Sequence, residues 1–266
     1  MTEWSTADDL SLALAIAADA DLVSRPRFRA TDLAIESKPD RTPVTDADRA
    51  VERLIRERIA ASRPGDAILG EEYGGERRDG RQWIVDPIDG TANFLRGIPV
   101  WATLLALAVD GVPIVGVVSA PALGLRWWGA RGHGAWVDRT DGPHGDPPRA
   151  IRVSRVAALP DAFFSHGAIR IWEDEGRGGQ LAAIVREVWR DHGYGDFWQH
   201  MMVAEGLVDA AAEFDLQPYD VAALIPIVEE AGGRFSDADG TAGPWGGSAL
   251  TTNGLLHDAL LDRLRA

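Results

Sequence analysis

The sequence predicts an α+β fold in which helices and mixed or antiparallel sheets are stacked in layers. Some segments repeat apolar residues with the period of a helix, whereas others are short apolar runs bounded by turn residues, as in buried strands. The first half also contains strand pairs joined by short turns, which is typical of antiparallel hairpins. Hairpins mixed with helices favour an α+β arrangement over a doubly wound parallel sheet.

Two helices are predicted in the N-terminal part of the chain. Residues 8–29 carry large apolar side chains among alanines, mostly at helical spacing. Residues 38–43 are rich in turn-forming residues and are expected to form a turn. Thr45 or Asp46 can then cap a second helix, which the segment 63–66, Arg-Pro-Gly-Asp, is expected to end.

Strands dominate the next part of the chain, where the apolar period changes from helical to alternating or continuous. Turn residues separate these runs, including Asp110-Gly111 between the two longest. The predicted strands are residues 67–70, 82–85, 101–109, 114–119, 125–128 and 135–137.

The second half alternates again between strands and helices. Residues 140–149 are the clearest candidate for a boundary between subdomains. We expect residues 1–145 to contain the larger sheet and residues 146–266 to form a second half of the same compact unit. In that second half, strands are predicted at residues 163–164 and 208–213, and helices at residues 179–189, 197–205 and 221–230.

Composition and charge exclude several classes of partner. The formal net charge of −14 disfavours nucleic acid and anionic membrane surfaces as partners. No apolar run approaches the roughly 18 residues that a membrane span needs, and the acidic N-terminus is unlike a signal peptide. The chain has no cysteine, so neither a disulfide nor a thiolate metal site can form. A cytoplasmic location is therefore expected.

The most informative segment is Asp86-Pro-Ile-Asp89-Gly-Thr91, which follows an apolar strand directly. Two carboxylates at the end of a strand repel one another in a dry cleft, and a hard divalent cation with oxygen ligands removes that cost. The carbonyl of Ile88 can face the same ion. The amides of Gly90 and Thr91, at a helix start, can bind a phosphate. The alternative interpretation is a turn and a helix cap, which are both common uses of aspartate.

Two further acidic residues follow the same pattern. Glu71 comes after the short strand 67–70, and Asp220 opens a helix after the strand 208–213. Taken alone, Asp220 would be read as a helix cap. An acidic pocket binds phosphate only when metal ions fill it, and two ions about 4 Å apart could bind the phosphoryl oxygens and activate water. The set therefore predicts a metal-dependent phosphomonoesterase that acts on a small polar phosphate ester.

With these motifs in order along nearly the whole chain, the sequence resembles the inositol monophosphatase family of Mg²⁺-dependent, lithium-sensitive phosphatases. The matching elements are Gly70-Glu71-Glu72, the segment 86–91, Asp220 with Val-Ala-Ala behind it, residues 44–48 and residues 229–233. The resemblance implies a layered α-β-α-β-α sandwich, a homodimer, and an active site that the second half completes.

The resemblance also implies a role for each matching residue. Mg²⁺ would be held by Glu71, Asp86, Asp89, Asp220 and the Ile88 carbonyl. Glu71 and Thr91 would orient the attacking water, and Asp48 would accept a hydrogen bond from the Thr91 hydroxyl. The implied substrate-binding residues are Asp89, Gly90, Thr91, His192, Asp196, Glu213 and Asp220.

Further segments match one branch of the family, namely residues 38–40, 42–48, 63–66, 81–86, 115–123, 194–197, 203–206 and 252–257. They resemble the bacterial histidinol-phosphatases, and this resemblance implies L-histidinol phosphate as substrate. Asp196 and Glu213 would lie near the leaving group, where a carboxylate can pair with an amino group. Ala92, His192 and the segment 164–169 depart from the pattern of that branch. We therefore expect His166 or His192 to contact the substrate, whereas His133, His144 and His257 are expected in solvated or capping positions.

Three other functions compete with this prediction. Inositol 1-phosphate or another sugar or polyol phosphate is the alternative substrate. A phosphatase with an aspartyl-phosphate intermediate is disfavoured because its motif, Asp-x-Asp-Gly-Thr, is one residue shorter than the segment 86–91. A catalytically inactive binding relative is disfavoured because all the expected ligands are present.

Overall fold

The computed structural model describes residues 4–37, 43–140 and 147–266. Most of the turn predicted at residues 38–43 lies outside the described residues. Residues 141–146 lie outside them as well, and so the predicted division after residue 145 and His144 are not described. Strand β9 (Arg149–Ala150) still pairs with the N-terminal sheet, and the division into two subdomains stays a prediction.

The described residues form nine helices, fourteen strands and a 3₁₀ turn at Leu159–Asp161. The helices are α1 (Thr6–Ser24), α2 (Asp46–Ser62), α3 (Thr91–Arg96), α4 (Ile169–Asp174), α5 (Gly178–Glu187), α6 (Asp196–Ala204), α7 (Pro218–Val221), α8 (Leu224–Glu230) and α9 (His257–Arg265). The strands are β1 (Ile35–Ser37), β2 (Pro43–Thr45), β3 (Ala67–Gly70), β4 (Arg81–Asp89), β5 (Ala102–Val109), β6 (Val112–Ala120), β7 (Leu125–Ala130), β8 (Ala135–Arg139), β9 (Arg149–Ala150), β10 (Phe163–His166), β11 (Arg190–His192), β12 (Ala210–Phe214), β13 (Arg234–Ser236) and β14 (Ser248–Thr252).

The larger sheet has seven strands in the chain order β3-β4-β5-β6-β7-β8-β9. Only β3 and β4 pair in parallel, and every later neighbour is antiparallel. Successive residues of β5 enter different cores, with Leu104 and Ala106 on one face and Leu105 and Leu107 on the other. This alternation follows the two-residue period of a strand, and it shows that both faces of the sheet are covered.

The smaller sheet has five strands in the order β11-β10-β12-β14-β13. Strands β11, β10 and β12 are parallel, whereas β14 pairs antiparallel with both β12 and β13. A separate two-stranded hairpin, β1 with β2, leads into α2. Both main sheets are therefore mixed, as predicted.

Helices and sheets alternate in five layers. Helices α1 and α2 cover one face of the larger sheet, and α6, α7 and α8 lie between the two sheets. Helices α4, α5 and α9 cover the outer face of the smaller sheet. The predicted α-β-α-β-α sandwich is confirmed. Among the described residues, no helix has the length and apolar character needed to cross a bilayer.

Several elements differ from those predicted. Helix α1 ends at Ser24 rather than near residue 29, since Pro26 has no N–H to continue it. The helix predicted at residues 221–230 is two helices, α7 and α8, because Pro226 cannot donate to the carbonyl of Ala222. The structure adds elements that were not predicted, namely β1, β2, β9, β11, β13, β14, α4, α9 and the 3₁₀ turn.

His257 is fully buried, so a solvated position for it was wrong. Its ring nitrogens lie 3.1 Å from Thr252 Oγ1 and 3.0 Å from Ser236 Oγ, at the start of α9. Burial lowers the pKa of His257 to about 4, and the charge of Arg234 acts in the same direction. His133 is exposed, as expected.

Candidate active site

The site begins at the C-terminal end of β4, where the strand is irregular. Asp86 pairs with Leu104 and Asp89 with Ala102, so one extra residue is inserted in β4. In a regular strand, residues three apart point to opposite faces, and such a bulge can bring them to the same side. Thr103 Oγ1 donates to the Pro87 carbonyl at 2.8 Å, which holds the bulge in place.

Asp86, Asp89 and Asp220 form the centre of the site. One carboxylate oxygen from each lies within 4.8 Å of the others. Burial raises the pKa of Asp86 well above its usual range, and the charge of Glu71 raises it further. Burial also raises the pKa of Asp89 well above its usual range, and that of Asp220 to about 7. The three carboxylates therefore crowd together at a considerable electrostatic cost.

This cluster fits a hard divalent cation. Asp86 Oδ1 is buried and has no hydrogen-bond partner, so it is free to bind a cation. A buried carboxylate oxygen without a partner is costly, and a cation with oxygen ligands removes both that cost and the mutual repulsion. Carboxylates at this separation therefore satisfy the requirements of a metal site.

A turn or a helix cap was the alternative interpretation of these aspartates, and Asp220 and Asp89 differ in how they fit it. Asp220 takes part in a helix cap as the third residue of α7, since it accepts from the amide of the N-cap residue Gln217 at 2.6 Å. It also belongs to the cluster. Asp89 does not close a local turn in this way. Its Oδ2 accepts from the amide of Phe197 at 2.8 Å, more than a hundred residues away, and so ties β4 to α6.

Glu71, Asp48 and Thr91 lie around the cluster. Glu71 follows β3, where its amide donates to the Val85 carbonyl at 3.1 Å, and its charge raises the pKa of Asp86, Asp48 and Asp220. Asp48 is fully buried on α2, and burial raises its pKa. The Thr91 hydroxyl lies 3.0 Å from the Ile88 carbonyl and 3.4 Å from Asp48 Oδ1, so it has two acceptors for one proton.

Gly90 connects the cluster to α3. Its φ is +80°, and a Cβ there would lie 3.0 Å from the Val100 carbonyl, so a larger residue would be strained and crowded. The turn at Gly90 starts α3 immediately after the last aspartate, which places the Gly90 and Thr91 amides beside the carboxylates.

A cavity of about 190 Å³ opens beside the cluster. Its polar lining is mainly acidic, and no lysine or arginine of the described chain lines it. A larger groove of about 1040 Å³ lies elsewhere, at Trp4 and Arg78, and none of the clustered carboxylates lines that groove. The lining residues of the smaller cavity are Asp89, Ile171, Asp196, His200, Glu213, Phe214, Asp215, Leu216, Asp220 and Val221.

Asp196 is held in an unusual backbone conformation at the mouth of α6. Its φ is +50°, a left-handed value that is uncommon for a residue other than glycine. Asn93 Nδ2 donates to Asp196 Oδ2 at 2.8 Å, which links α3 to α6 across the site. Burial and the neighbouring charge of Glu213 raise the pKa of Asp196 to about 7.

Glu213 is fixed by a chain of buried polar groups. Gln199 Nε2 donates to Glu213 Oε2 at 2.6 Å, and Ser165 Oγ donates to Gln199 Oε1 at 2.9 Å. His200 Nε2 lies 3.8 Å from the same carboxylate oxygen, and its Nδ1 lies 2.8 Å from Thr251 Oγ1. The side chains that surround Glu213 therefore leave little room for its carboxylate to move.

The structure brings together most of the residues predicted from the sequence. Glu71, Asp86, Asp89 and Asp220 interact electrostatically, and Asp196 and Glu213 adjoin them. Among the described residues, neither His166 nor His192 lines the cavity. His192 is exposed and packs on Tyr194, whereas the buried His166 bonds to the Gly167 carbonyl at 2.8 Å. Substrate contact by either histidine stays a prediction.

Sequence reasoning missed Asn93, Gln199 and His200. Asp196, Gln199 and His200 are spaced i, i+3 and i+4, so they share one face of α6. Three polar residues on one face of an otherwise apolar helix are a signal that could have been read. Asn93, by contrast, matters only through its distant partner.

Comparisons with known proteins agree with this geometry. A model of the inositol monophosphatase family matches residues 6–266. The chain is 55% identical to a histidinol-phosphatase of Mycobacterium tuberculosis, over 97% of this chain and 98% of that protein. It is 49% identical to a histidinol-phosphatase of Streptomyces coelicolor, over 97% of each. A solved inositol monophosphatase from Zymomonas mobilis superimposes with a TM-score of 0.85, at 30% identity over 99% of this chain and 100% of that one.

Proposed function

Because the chain belongs to the inositol monophosphatase family, we propose that it is a Mg²⁺-dependent histidinol-phosphatase, which converts L-histidinol phosphate and water to L-histidinol and phosphate. Members of this family that are named for these activities are phosphoric monoester hydrolases, and the chain is an enzyme of that class. The organic part of the substrate would bind in the cavity beside the acidic cluster.

One observation supports a cationic leaving group: the described residues that line the cavity include five carboxylates, no lysine and no arginine. Asp196 and Glu213 are not used by the metal cluster, and the charge of Glu213 adds to burial in raising the pKa of Asp196. An ammonium group between them would replace repulsion with attraction. L-Histidinol phosphate carries an amino group on the carbon next to the one that bears the phosphate ester, whereas the inositol part of inositol 1-phosphate is uncharged.

The residues proposed to hold Mg²⁺ are Glu71, Asp86, Asp89, Asp220 and the carbonyl of Ile88. Bound there, the metal would neutralise the phosphoryl oxygens and lower the pKa of water. The unpartnered Asp86 Oδ1 supports this assignment, as does the oxygen-only ligand set.

The remaining groups act on the water and the phosphate. The Thr91 hydroxyl donates to Ile88 or Asp48 and so keeps its lone pairs available to accept from the attacking water. Glu71 orients the same water and takes up its proton. The Gly90 and Thr91 amides hold phosphoryl oxygens at the start of α3. The water oxygen bonds to phosphorus, the P–O bond to the leaving group breaks, and the leaving oxygen takes a proton from solvent, which balances the proton that Glu71 takes from water and later returns to solvent.

The leaving group would be recognised on the other side of the site. We assign the amino group to Asp196 and Glu213, with Asp89 and Asp220 next to the phosphate. His200 borders the same cavity, and its ring can donate a hydrogen bond to the imidazole of the substrate or accept one from it. His192 stays a predicted contact that the cavity lining does not include.

The second candidate is an inositol 1-phosphate or other polyol monophosphatase. Likeness to the Zymomonas mobilis enzyme, which is named an inositol monophosphatase, favours it. Hydroxyl groups can also donate to Asp196 and Glu213, so both substrates satisfy the same carboxylates. They differ in charge, and that difference can be measured.

The protein is further proposed to act as a cytoplasmic homodimer. The family resemblance supports the dimer, and size-exclusion chromatography with light scattering tests it. A mass close to twice 28.7 kDa is expected, and a monomeric mass at micromolar concentration would contradict it.

The function is tested by phosphate release from L-histidinol phosphate by the purified protein. Activity is expected with Mg²⁺, none after treatment with EDTA, and full recovery when Mg²⁺ is returned in excess. The control is the Asp237→Asn variant, which alters a buried carboxylate in the loop after β13, and it should retain this metal response. Turnover that is indifferent to EDTA would contradict the metal requirement.

A further inference from the structure

Helix α2 presents two buried carboxylates to the site from one face. Asp48 and Glu52 are four residues apart, so they lie one turn apart on the same side of the helix, and both are fully buried. Asp48 faces Thr91, as described above. Glu52 is not a member of the acidic cluster and has no part in the proposed chemistry.

The carboxylate of Glu52 binds the backbone on the C-terminal side of Glu71. Its Oε2 accepts from the Glu72 amide at 2.7 Å, and its Oε1 accepts from the Tyr73 amide at 3.2 Å. A carboxylate that accepts two amide hydrogen bonds fixes the peptide planes that carry those amides. The loop after Glu71 is therefore attached directly to α2.

Arg56 completes this attachment one turn further along α2. Its Nε donates to Glu52 Oε1 at 2.7 Å, and its Nη2 donates to the Gly74 carbonyl at 2.6 Å. The guanidinium compensates the buried charge of Glu52 and binds the far end of the same loop. The loop 72–74 is thus bound to α2 through the amides of Glu72 and Tyr73 and the carbonyl of Gly74.

Gly70, which precedes Glu71, has no side chain, and this leaves space for the Glu52 carboxylate. A Cβ added to Gly70 would lie 2.0 Å from Glu52 Oε1 and 2.4 Å from its carboxyl carbon. Only glycine lets the carboxylate approach the strand end so closely. Together with the bond from the Glu71 amide to the Val85 carbonyl, these contacts hold the backbone on both sides of Glu71.

We infer that Glu52 is a positioning residue, which fixes Glu71 for the metal and for the attacking water by clamping the loop that carries it. One face of α2 then sets both groups that orient the water, Thr91 through Asp48 and Glu71 through Glu52. This inference rests on the role proposed above for Glu71. Small displacements of a ligand or a water-orienting group are costly, because proximity contributes much of the rate.

The test compares Glu52→Gln with wild type and with the control Asp237→Asn. Glutamine keeps the size of the side chain but sets an NH₂ group against one of the two amides, so one of the loop contacts is lost. Asp237 is likewise buried and accepts two loop amides, from Asp239 at 2.9 Å and Thr241 at 2.7 Å, outside the site. Both amides donate to the same oxygen, Oδ1, so asparagine keeps an acceptor for them, and Asp237→Asn therefore reports the effect of removing a buried carboxylate charge from a loop outside the site.

Three quantities are measured on each protein. Hydrogen exchange of the peptide that covers residues 70–76 reports the loop, calorimetric titration with Mg²⁺ reports the metal site, and steady-state kinetics on L-histidinol phosphate report catalysis. In Glu52→Gln we expect faster exchange in that peptide, Mg²⁺ affinity weaker by about tenfold, and kcat lower by about tenfold to a hundredfold. KM should stay within about twofold of the wild-type value.

The outcomes separate this inference from a purely structural role and from the proposed function. Wild-type Mg²⁺ affinity in Glu52→Gln, or an equal loss of affinity in Asp237→Asn, would overturn it. Exchange and calorimetry need no substrate, so they decide the inference even if L-histidinol phosphate is not the substrate. If Glu52→Gln folds poorly, Gly70→Ala displaces the same carboxylate from the strand side and is expected to weaken Mg²⁺ binding likewise.

Discussion

Each aspartate of the cluster lowers the stability of the metal-free protein. Burial and mutual repulsion raise the pKa values of Asp86, Asp89 and Asp220, so each carboxylate makes folding less favourable when no cation is bound. Residues kept at such a cost are expected where the same charges are needed for function.

Replacement of Asp89 or Asp220 by asparagine should separate function from stability. Either change removes a negative charge proposed to bind the metal, so we expect kcat/KM to fall at least about a hundredfold. The same change relieves repulsion, so the melting temperature of the metal-free protein should stay equal or rise. Turnover near the wild-type value in either variant would contradict the assignment of that carboxylate to the metal.

Asp196→Asn tests the charge of the leaving group. The asparagine carbonyl can still accept from Asn93, but the charge offered to an ammonium is lost. KM for L-histidinol phosphate should rise by about tenfold, whereas the hydrolysis of neutral inositol 1-phosphate should change much less. Kinetics on both esters provide the measurement, and an equal effect on the two would argue against a cationic subsite.

The sequence predicted most of the elements that carry the site, but it did not predict several strands of the smaller sheet. The strand 82–85, the helix cap at Thr45 and the turn at Gly90 follow local rules that a sequence displays. Strands β11, β13 and β14 are short and owe their pairing to distant neighbours, which local patterns do not reveal. The break between α7 and α8 could have been read from Pro226.

At the start of α9, His257 should make the stability of the protein depend on pH. Its pKa is about 4 in the folded state and 6.5 when unperturbed, so the unfolded chain binds more protons between these values. The stability that the neutral ring contributes is complete above pH 6.5 and is lost as pH falls through 4.

The comparison of wild type with His257→Gln measures this contribution. Urea denaturation should show the variant less stable at pH 7 by about 1–2 kcal/mol, because one of two buried hydrogen bonds is lost. The difference should narrow between pH 6.5 and 4, since only the wild type pays to keep the ring neutral. A difference that is constant with pH would mean that His257 does not titrate in this way.

For the whole molecule, metal binding should couple the larger sheet to the layer of helices that lies between the two sheets. The cluster takes Asp86 and Asp89 from the larger sheet, and Asp220 comes from α7 in the layer between the sheets. A ligand that binds only the folded state raises its stability by mass action. At a Mg²⁺ concentration about a hundred times the dissociation constant, the melting temperature should rise by roughly 5 °C or more.

Scanning calorimetry with and without Mg²⁺ provides that measurement, and Asp89→Asn serves as the control that should show a smaller shift. An identical melting temperature for the wild type in EDTA and in millimolar Mg²⁺ would contradict metal binding at the cluster.

For the molecule as a whole, the sequence could predict which acidic residues lie close together, but not the hydrogen bonds that fix their positions. The motifs at Glu71, Asp86 and Asp220 predict the acidic cluster because each has a local signature beside a strand or helix end. The support of the cluster depends on pairs far apart in the chain, such as Asn93 with Asp196 and Gln199 with Glu213. A single sequence contains no periodicity that links such pairs.

If the cavity selects a cationic leaving group, the enzyme must prefer L-histidinol phosphate to myo-inositol 1-phosphate, and the ratio of the two kcat/KM values measures that preference. Both are measured with Mg²⁺ on the same enzyme preparation. We predict a ratio of at least about a hundred, which corresponds to roughly 2.7 kcal/mol of discrimination. Comparable values for the two esters, or a preference for the neutral one, would contradict the assignment of Asp196 and Glu213 to an ammonium group.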